Sequence, residues 1–463
     1  MKFTQKAALV EGPMRKMMVR LTAPMIFGTA ALIGFNIVDT YFLGRIGTLP
    51  LAAIGFTFPA VVIVTGLSMG TGGGVSAALS RAIGEGDQYK IKRFTTDGLI
   101  LTFLLSVIMS VGGILTFDSA FRLLKVPPEV MPLIRQYMII WYAGVLALAL
   151  QAVLNAIFRA MGNTIIPTMV LCSAMILNMI LNRLLIFGFG PIPRMDIPGA
   201  AVATVIALAA PLPYPFWLLH FRMHMITYDW PGLKALWHSW RHILFVGIPS
   251  AISNTIVPIG AGVITRLVAG YGPESVAALG VASRIEIFTM AVIVALATVL
   301  DPFIGQNCGA GKYDRVREAV RDTQVFSLLW GLGIAVIFAA IARPLAAVFS
   351  DDPKVISVTV TYLRIVPVAF GLYGVTMLAS ASMNVLQKPV QALTLVSIHI
   401  LFLLIPFVFI GYYLFGLPGI FGAIAAARIT AGMIARIWLK ILLFSEETRY
   451  RACTSASDHS PKQ

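Results

Sequence analysis

The residue best suited to chemistry in this sequence is Asp39, an acid inside the first long apolar segment. That segment starts near Leu21 and carries no other charge before Asp39. A carboxylate at membrane depth costs about 2.5–3.5 kcal/mol even on lenient insertion scales, so it usually faces a helix bundle or a wet cavity. Asp39 is therefore a candidate for binding a cation or a proton. The alternative is a position near a helix end, within reach of the interface and of Arg45.

The second half of the chain also carries charges inside apolar segments. Arg284 and Glu286 come early in one segment, Asp301 lies near its end, and Arg364 lies in a later one. Two interpretations of Glu286 stay open: pairing with an arginine, or binding a cationic substrate or a second proton. Asp301 is close enough to a segment end to be a helix-end charge. We expect Arg284 and Arg364 to be the interior arginines.

Several uncharged side chains could line a substrate cleft. Gln151 and Asn155 are four residues apart and share one helix face. Met175 and Met179 have the same spacing, and flexible methionines suit a promiscuous pocket, although such residues more often serve packing. We also place Asn36 and the Arg284–Glu286 pair in this candidate cleft.

The histidines give no metal site. His220 and His224, like His238 and His242, have a spacing of four that suits a metal on a helix face. Neither pair has an acid or a cysteine nearby, and both flank a polar segment. We therefore expect interfacial histidines, no metal and no cofactor.

The composition indicates a protein that crosses a membrane many times. Of 463 residues, 58% are hydrophobic and only 12% are charged, whereas a soluble protein has about 25% charged residues. The net charge of +15 is spread between the apolar segments and does not form one patch, which excludes nucleic acid as a partner. Three cysteines, Cys172, Cys308 and Cys453, show no paired spacing.

The hydropathy pattern predicts twelve transmembrane helices, each about 20 residues or longer. They cover residues 21–43, 51–79, 96–117, 131–153, 165–188, 197–219, 242–268, 276–304, 323–345, 355–380, 390–414 and 419–444. Three prolines between Pro211 and Pro215 predict a break in the sixth helix. We expect an N-terminal six-helix lobe (1–220), a cytoplasmic linker (221–241), a C-terminal lobe (242–445) and a cytoplasmic tail (446–463).

The basic residues predict the orientation. One side receives both terminal clusters and most lysines and arginines of the connecting segments. The other side receives little more than Arg45, Arg122, Lys125, Arg194, Arg343 and Lys354. Both termini should therefore be cytoplasmic, and the protein should lie in the cell inner (plasma) membrane. Two termini on the same side require an even number of spans.

The two halves of the chain repeat each other at one offset. Pro24, Thr40, Gly47 and Asp97 match Pro249, Thr265, Gly272 and Asp322, always 225 positions apart (249 − 24 = 225). Six spans in each half give parallel repeats related by a pseudo-two-fold axis along the membrane normal. Such a pair of lobes suits alternating access, with the binding sites near the midplane.

Other functions find no support in the motifs. The chain lacks a Gly-x-x-x-x-Gly-Lys-Ser/Thr loop, so it does not hydrolyse ATP by that route. The run from Gly70 to Gly74 lies inside the second span, without a lysine or a preceding strand, and indicates close helix packing. The sequence shows no nucleophile accompanied by a general base and a group that orients the base. We therefore expect that the protein is not an enzyme.

Four motifs together resemble the multidrug and toxic compound extrusion (MATE) family over nearly the whole chain. They are the stretches from Asn36 to Gly47, Ser80 to Asp87, Arg159 to Thr164 and Ile304 to Gly311. The resemblance implies cation-coupled export of bulky, often cationic organic molecules. The stretch Pro249–Thr255 has no acid where the NorM-like branch carries one on helix seven, so the chain looks most like the DinF-like branch.

The resemblance also implies a cation site in the first lobe. In the DinF-like branch an acid on helix one, two polar residues on helix five and a threonine on helix six form it. The matching positions are Asp39, Asn178, Asn182 and Thr204. Asn182 departs from the pattern, because that position is often an aspartate. With one carboxylate, the site could hold either H⁺ or Na⁺. The alternative for the two asparagines is hydrogen bonding between helices.

We therefore predict a monomeric twelve-helix antiporter that exchanges an inward-moving H⁺ or Na⁺ for a small organic molecule, with the lipid bilayer as its surroundings. Pro24 is the expected hinge, where helix one can bend. One alternative is a lipid or lipid-linked oligosaccharide flippase of the same superfamily. A further alternative is a passive cation channel or carrier.

Overall fold

The computed structural model describes residues 7–191 and 193–458, with side chains up to residue 448. The described chain is all-α. Its helices are α1 (Met14–Gly44), α2 (Thr48–Glu85), α3 (Gln88–Leu115), α4 (Phe117–Leu123), α5 (Met131–Ala143), α6 (Val145–Ala160), α7 (Ile165–Phe187), α8 (Asp196–Ala209), α9 (Pro213–Trp217), α10 (Leu233–Ala269), α11 (Pro273–Gly309), α12 (Tyr313–Ala347), α13 (Pro353–Ile365), α14 (Phe370–Val385), α15 (Pro389–Ser397) and α16 (Ile405–Asp458). The N-terminal end of the predicted first lobe (1–6) and the last residues of the predicted tail (459–463) lie outside the described residues.

The predicted twelve spans are confirmed in the described chain. Ten helical stretches are long and apolar enough to cross a membrane, and α5 and α6, bent by 45° at Gly144, supply an eleventh. The last stretch, Pro389–Thr448, is 60 residues long. Gly416 interrupts it with a φ of 63° and a ψ of −140°, and Pro418 follows. Because this backbone is not helical, the stretch holds two spans.

The helices of the second half start at the repeat offset found in the sequence. Helix α11 begins at Pro273, 225 positions after the start of α2 at Thr48, and α12 begins at Tyr313, 225 positions after Gln88 of α3. The turn glycines correspond as well: Gly86 and Gly311 both have a positive φ, of 74° and 72°. The repeated sequence therefore folds into repeated elements.

The described chain forms two compact units. The first comprises residues 7–8 and 19–255, and the second comprises residues 9–18 and 256–458. The boundary lies inside α10. Residues 9–18 belong to the second unit because their backbone is bonded there: Gln306 accepts from the Leu9 N–H at 3.0 Å, and Asn307 donates to the Leu9 carbonyl at 3.1 Å. The lobe and linker boundaries drawn from the sequence stay a prediction.

The proline-rich end of the sixth span confirms the predicted break. Helix α8 ends at Ala209, and α9 starts at Pro213 as a separate short helix. A wider helical turn over Leu218–Arg222 follows. Proline cannot donate the backbone hydrogen bond that would continue α8, so the helix stops where the prolines begin.

The glycine run of α2 lies where another helix approaches closely, as predicted. A Cβ atom on Gly70 would lie 2.4 Å from the Gly247 carbonyl oxygen, and one on Gly74 would lie 2.2 Å from that of Ile243. Only glycine permits this approach of α2 to α10 within the first unit. The run is therefore a packing surface.

Candidate functional site

Three helices of the first unit bring Asp39, Asn178, Asn182 and Thr204 together. Asp39 is on α1, the two asparagines are on α7, and Thr204 is on α8. The Asn182 Nδ2 atom donates to Asp39 Oδ1 at 2.6 Å and to Asn178 Oδ1 at 3.0 Å. The Thr204 hydroxyl donates to Asp39 Oδ2 at 3.1 Å. The four residues form one hydrogen-bonded group, which we call the Asp39 site.

Small residues allow the three helices to approach each other. A Cβ atom on Gly34 of α1 would lie 2.8 Å from the Met175 sulfur atom on α7. One on Gly199 of α8 would lie 2.6 Å from the Leu185 carbonyl oxygen of α7. The spacing of four between Asn178 and Asn182 places both on the α7 face that meets α1 and α8.

The Asp39 site is a carboxylate with neutral partners. Asn178 and Asn182 are fully buried and Thr204 is 5% exposed. In the described part of the chain, the Asp39 carboxylate accepts one hydrogen bond from the Asn182 amide and one from the Thr204 hydroxyl. A carboxylate without a basic partner keeps its charge available for a mobile cation.

Two buried polar atoms of this site lack a hydrogen-bond partner among the described residues. They are the Asn182 Oδ1 and the Asn178 Nδ2 atoms. A buried carbonyl oxygen without a donor is costly unless another group supplies one. Oxygens from a carboxylate, an amide and a hydroxyl are also the ligands that hard cations prefer. The arrangement can therefore hold a proton on Asp39 or a small cation between these oxygens.

The candidate cleft residues do not join the Asp39 site by hydrogen bonds. Gln151 and Asn155 are both buried, at 5% exposure, on α6. Met175 contacts α1 at Gly34, whereas Met179 is 43% exposed. Asn36 is exposed, and its amide donates to the Leu32 carbonyl of its own helix. Their role in a substrate cleft stays a prediction.

Pro24 lies inside α1, and the helix continues through it. The Pro24 carbonyl oxygen accepts a hydrogen bond of 2.9 Å from the Thr168 hydroxyl on α7. The missing proline donor weakens α1 locally, while Thr168 ties this point to α7. A hinge at Pro24 stays a prediction.

In the second unit, Glu286 forms a bidentate ion pair with Arg428 of α16. The Arg428 Nη2 atom lies 2.6 Å from Glu286 Oε1, and the Nη1 atom lies 3.1 Å from Oε2. The Tyr362 hydroxyl donates to Oε2 at 2.5 Å. This ion pair agrees with one of the two interpretations of Glu286, namely pairing with an arginine. Arg284 and Arg364, the expected interior arginines, are both exposed, and the place of Arg284 in the substrate cleft stays a prediction.

Arg428 is the residue that the sequence reasoning missed, although a signal was present. It is the first charge in the last apolar segment (419–444), between Ala427 and Ile429, and Arg436 and Lys440 follow nearer the end of the segment. The criterion that selected Asp39 selects it as well. Hydropathy reports how deep a residue lies and not which side of the helix faces the protein, so it could not show that Glu286 pairs with Arg428 and not with Arg284.

The family model MatE matches residues 24–184 and 249–410. The chain is similar to the FAD transporter of Shewanella oneidensis, with 34% identity over 428 residues, 92% of this chain and 94% of the relative. It is also similar to the probable multidrug resistance protein NorM of Thermotoga maritima, with 24% identity over 439 residues, 93% and 92% of the two chains. The crystal structure of the Vibrio cholerae MATE transporter VcmN in the bent form matches with a TM-score of 0.87 and 29% identity, over 94% of this chain and 98% of that one.

Proposed function

We propose that this chain, which belongs to the MatE family of membrane transporters, is a cation-coupled antiporter that exports bulky organic molecules. As a family member it is a multi-pass membrane transporter and not an enzyme. Export of drug-like compounds is supported by relatives named as multidrug resistance and multidrug export proteins. Its assignment to the DinF-like branch is part of the proposal.

The observation that carries the coupling is the Asp39 carboxylate held by the Asn182 amide and the Thr204 hydroxyl. Because these partners are neutral, a cation that binds changes the net charge of the site by one unit. The charge state of Asp39 therefore alters how α1 packs on α7 and α8. In the antiport cycle, one state favours uptake of the cation and the other favours release of the substrate.

The coupling ion is H⁺ or Na⁺. A proton would neutralise Asp39 directly, and Na⁺ would use the carboxylate together with the Asn178, Asn182 and Thr204 oxygens. Either ion gains about 2.3 kcal/mol per charge for each 100 mV of membrane potential. That energy suffices for accumulation ratios of tens. Vesicles with an imposed pH gradient or Na⁺ gradient, applied singly, separate the two ions.

The test of this function is Asp39→Asn. The amide has nearly the same size and can keep the hydrogen bonds, but it neither takes up a proton nor attracts a cation. We expect the variant to insert and fold, and coupled export of a fluorescent dye from vesicles to stop. Asp97→Asn, which changes a buried acid paired with Arg93 elsewhere in the first unit, is the matched control. Dye export at the wild-type rate by Asp39→Asn would contradict the mechanism.

A second candidate substrate is a flavin dinucleotide. The Shewanella oneidensis relative, at 34% identity, is named an FAD transporter, whereas the multidrug relatives share about 24% of their residues with this chain. FAD is bulky and organic but anionic, in contrast to the cationic compounds expected from the family resemblance. Parallel export assays with FAD and with a cationic dye decide between the two substrates.

We further propose that the chain works as a monomer in the inner membrane, with both termini cytoplasmic. The orientation follows from the distribution of lysine and arginine. The alternatives are a lipid or lipid-linked oligosaccharide flippase of the same superfamily and a passive cation channel or carrier. Dye export against a gradient that collapses with an uncoupler would exclude the passive carrier.

A further inference from the structure

The second unit contains a polar cluster that the coupling mechanism does not use. It consists of Glu286 on α11, Tyr362 on α13, Tyr373 on α14, His399 on the wide helical turn Ile398–Leu404, and Arg428 on α16. We call it the Arg428 cluster. The Arg428 guanidinium carbon lies 4.3 Å from the centre of the Tyr373 ring, and the His399 and Tyr373 ring centres are 5.6 Å apart.

The charge balance of this cluster differs from that of the Asp39 site. Glu286 is compensated by Arg428 through two N–O contacts, so it offers no free negative charge to a coupling cation. The repeat positions 225 residues earlier hold Val61 and Ala203. Tyr362 corresponds to Tyr137 at the same offset, so the tyrosine is repeated whereas the Glu286–Arg428 ion pair is not.

His399 supplies an independent sign of a ligand. Its side chain is 5% exposed, and its Nε2 atom has no hydrogen-bond partner among the described residues. A buried nitrogen without a partner is costly and calls for a missing group. The wide turn that carries His399 is of a rare kind that is common at functional sites.

The side chains define the chemistry of the group that would fit. The arginine fork matches a phosphate as well as it matches a carboxylate. Tyr373 lies beneath the Arg428 guanidinium, so an aromatic ring is already part of the surroundings that a phosphate on Arg428 would enter, and a flat ring next to the phosphate would pack with it. The pair is also not sealed, since the side chains of Arg428 and Glu286 keep 12% and 13% exposure.

We propose that the Arg428 cluster binds phosphate-bearing molecules with a flat ring, of which FAD is the tested example. Glu286 is the resident counter-ion of Arg428, and the phosphate of the substrate displaces it. The Tyr362 hydroxyl keeps its hydrogen bond to the displaced Glu286 carboxylate, and His399 Nε2 contacts the substrate phosphate. This inference rests on the proposed export function and names the class of its substrate.

The experiment measures binding of three flavins that share one ring and differ in phosphate. FAD has two phosphates, FMN has one, and riboflavin has none. The full chain is placed in phosphatidylcholine nanodiscs, and binding is followed by flavin fluorescence. We expect FAD and FMN to bind at least about tenfold more tightly than riboflavin, because each hydrogen bond to a charged group contributes about 1.5–3 kcal/mol. Equal affinities for the three flavins would overturn the proposal.

Variants of the ion pair test which residues carry the preference. Glu286→Gln frees Arg428 and should tighten FAD binding by about tenfold without changing riboflavin binding. The double variant Glu286→Gln with Arg428→Gln leaves no lone buried charge, although glutamine is shorter than arginine, and should lose the preference for phosphate. Asp97→Asn, at the buried Arg93–Asp97 pair of the first unit, is the matched control and should bind all three flavins as the wild type does. A phosphate preference that survives in the double variant would overturn the assignment.

Two further arms keep this test separate from that of the coupling mechanism. Asp39→Asn should retain the phosphate preference in the binding assay even though its export stops. If the wild type exports dye with a cation gradient but shows no phosphate preference, the inference fails and the proposed coupling stands. If added phosphatidylglycerol abolishes FAD binding, a lipid headgroup is the occupant of the Arg428 cluster, and the flavin assignment falls.

Discussion

The Asn182 amide nitrogen lies 2.6 Å from the Asp39 carboxylate oxygen, although 143 residues separate the two in the chain. This contact joins α7 to α1 through a charged hydrogen bond that is stronger than a neutral one. Since α7 also carries Asn178 and packs on α8, a change of charge at Asp39 reaches three helices through direct contacts.

Changing Asn182 to aspartate should make the site bind its cation more tightly. The second carboxylate would lie within hydrogen-bond distance of the first, and the added negative charge attracts a cation strongly in a buried site. We expect the half-saturating concentration of the coupling cation to fall at least about tenfold in dye-export assays. For a proton, the pH profile of export would move toward higher pH. An unchanged profile and an unchanged Na⁺ dependence would show that residue 182 does not face the bound cation.

Thr204 should act through its hydroxyl and not through its shape. Thr204→Val keeps the branched side chain but removes the hydrogen bond to Asp39, whereas Thr204→Ser keeps the hydroxyl. We expect the valine variant to need roughly tenfold more coupling cation for half-maximal export, and the serine variant to stay close to the wild type. Cation titrations of both variants check this. Similar losses in the two variants would mean that packing of α8 is the cause.

The glycines of α2 provide a test of packing, with the neighbouring glycine as the control. Gly74→Ala would place its Cβ 2.2 Å from the Ile243 carbonyl oxygen, which the α10 backbone cannot avoid by a side-chain rotation. We expect a loss of about 1–3 kcal/mol or more in the free energy of unfolding. Gly73→Ala meets nothing within 4 Å and should be neutral or slightly stabilising. Thermal unfolding in detergent compares the two, and equal melting temperatures would contradict the close approach of α2 and α10.

The loop before α3 should respond to acid through Asp87. Its side chain caps the helix by accepting from the Lys90 N–H at 3.0 Å, and this hydrogen bond lowers the pKa of Asp87. A lowered pKa means that the cap is fully present above the ordinary value of a carboxyl and is lost as the pH falls through the lowered value. We expect amide hydrogen exchange at Lys90, corrected for its intrinsic pH dependence, to lose protection as the pH falls below the ordinary pKa of an aspartate.

The substitution Asp87→Ala should remove that protection at neutral pH and cost about 1 kcal/mol locally, whereas Asp87→Asn should keep most of the cap and lose its pH dependence. Protection at Lys90 that is the same in all three proteins would exclude the cap as its cause.

The sequence alone determined the number of spans and the central acid. Each span must satisfy its own backbone and match the hydrocarbon thickness, so twelve apolar stretches could be read directly. Asp39 stood out because an unpaired charge at that depth is costly. The offset of 225 residues likewise anticipated that α11 and α12 repeat α2 and α3, and glycine at position 74 anticipated close packing. Asn178, Asn182 and Thr204 came from the family resemblance, with the spacing of four as local support.

The tertiary structure decided which polar residues meet. It paired Glu286 with Arg428 and left Arg284 and Arg364 exposed. Lipid and protein interior are equally apolar, so a membrane helix carries no sequence pattern that tells one face from the other. The depth of a residue in the membrane can therefore be predicted from its position in an apolar segment. The direction in which its side chain points is set by the helices packed around it.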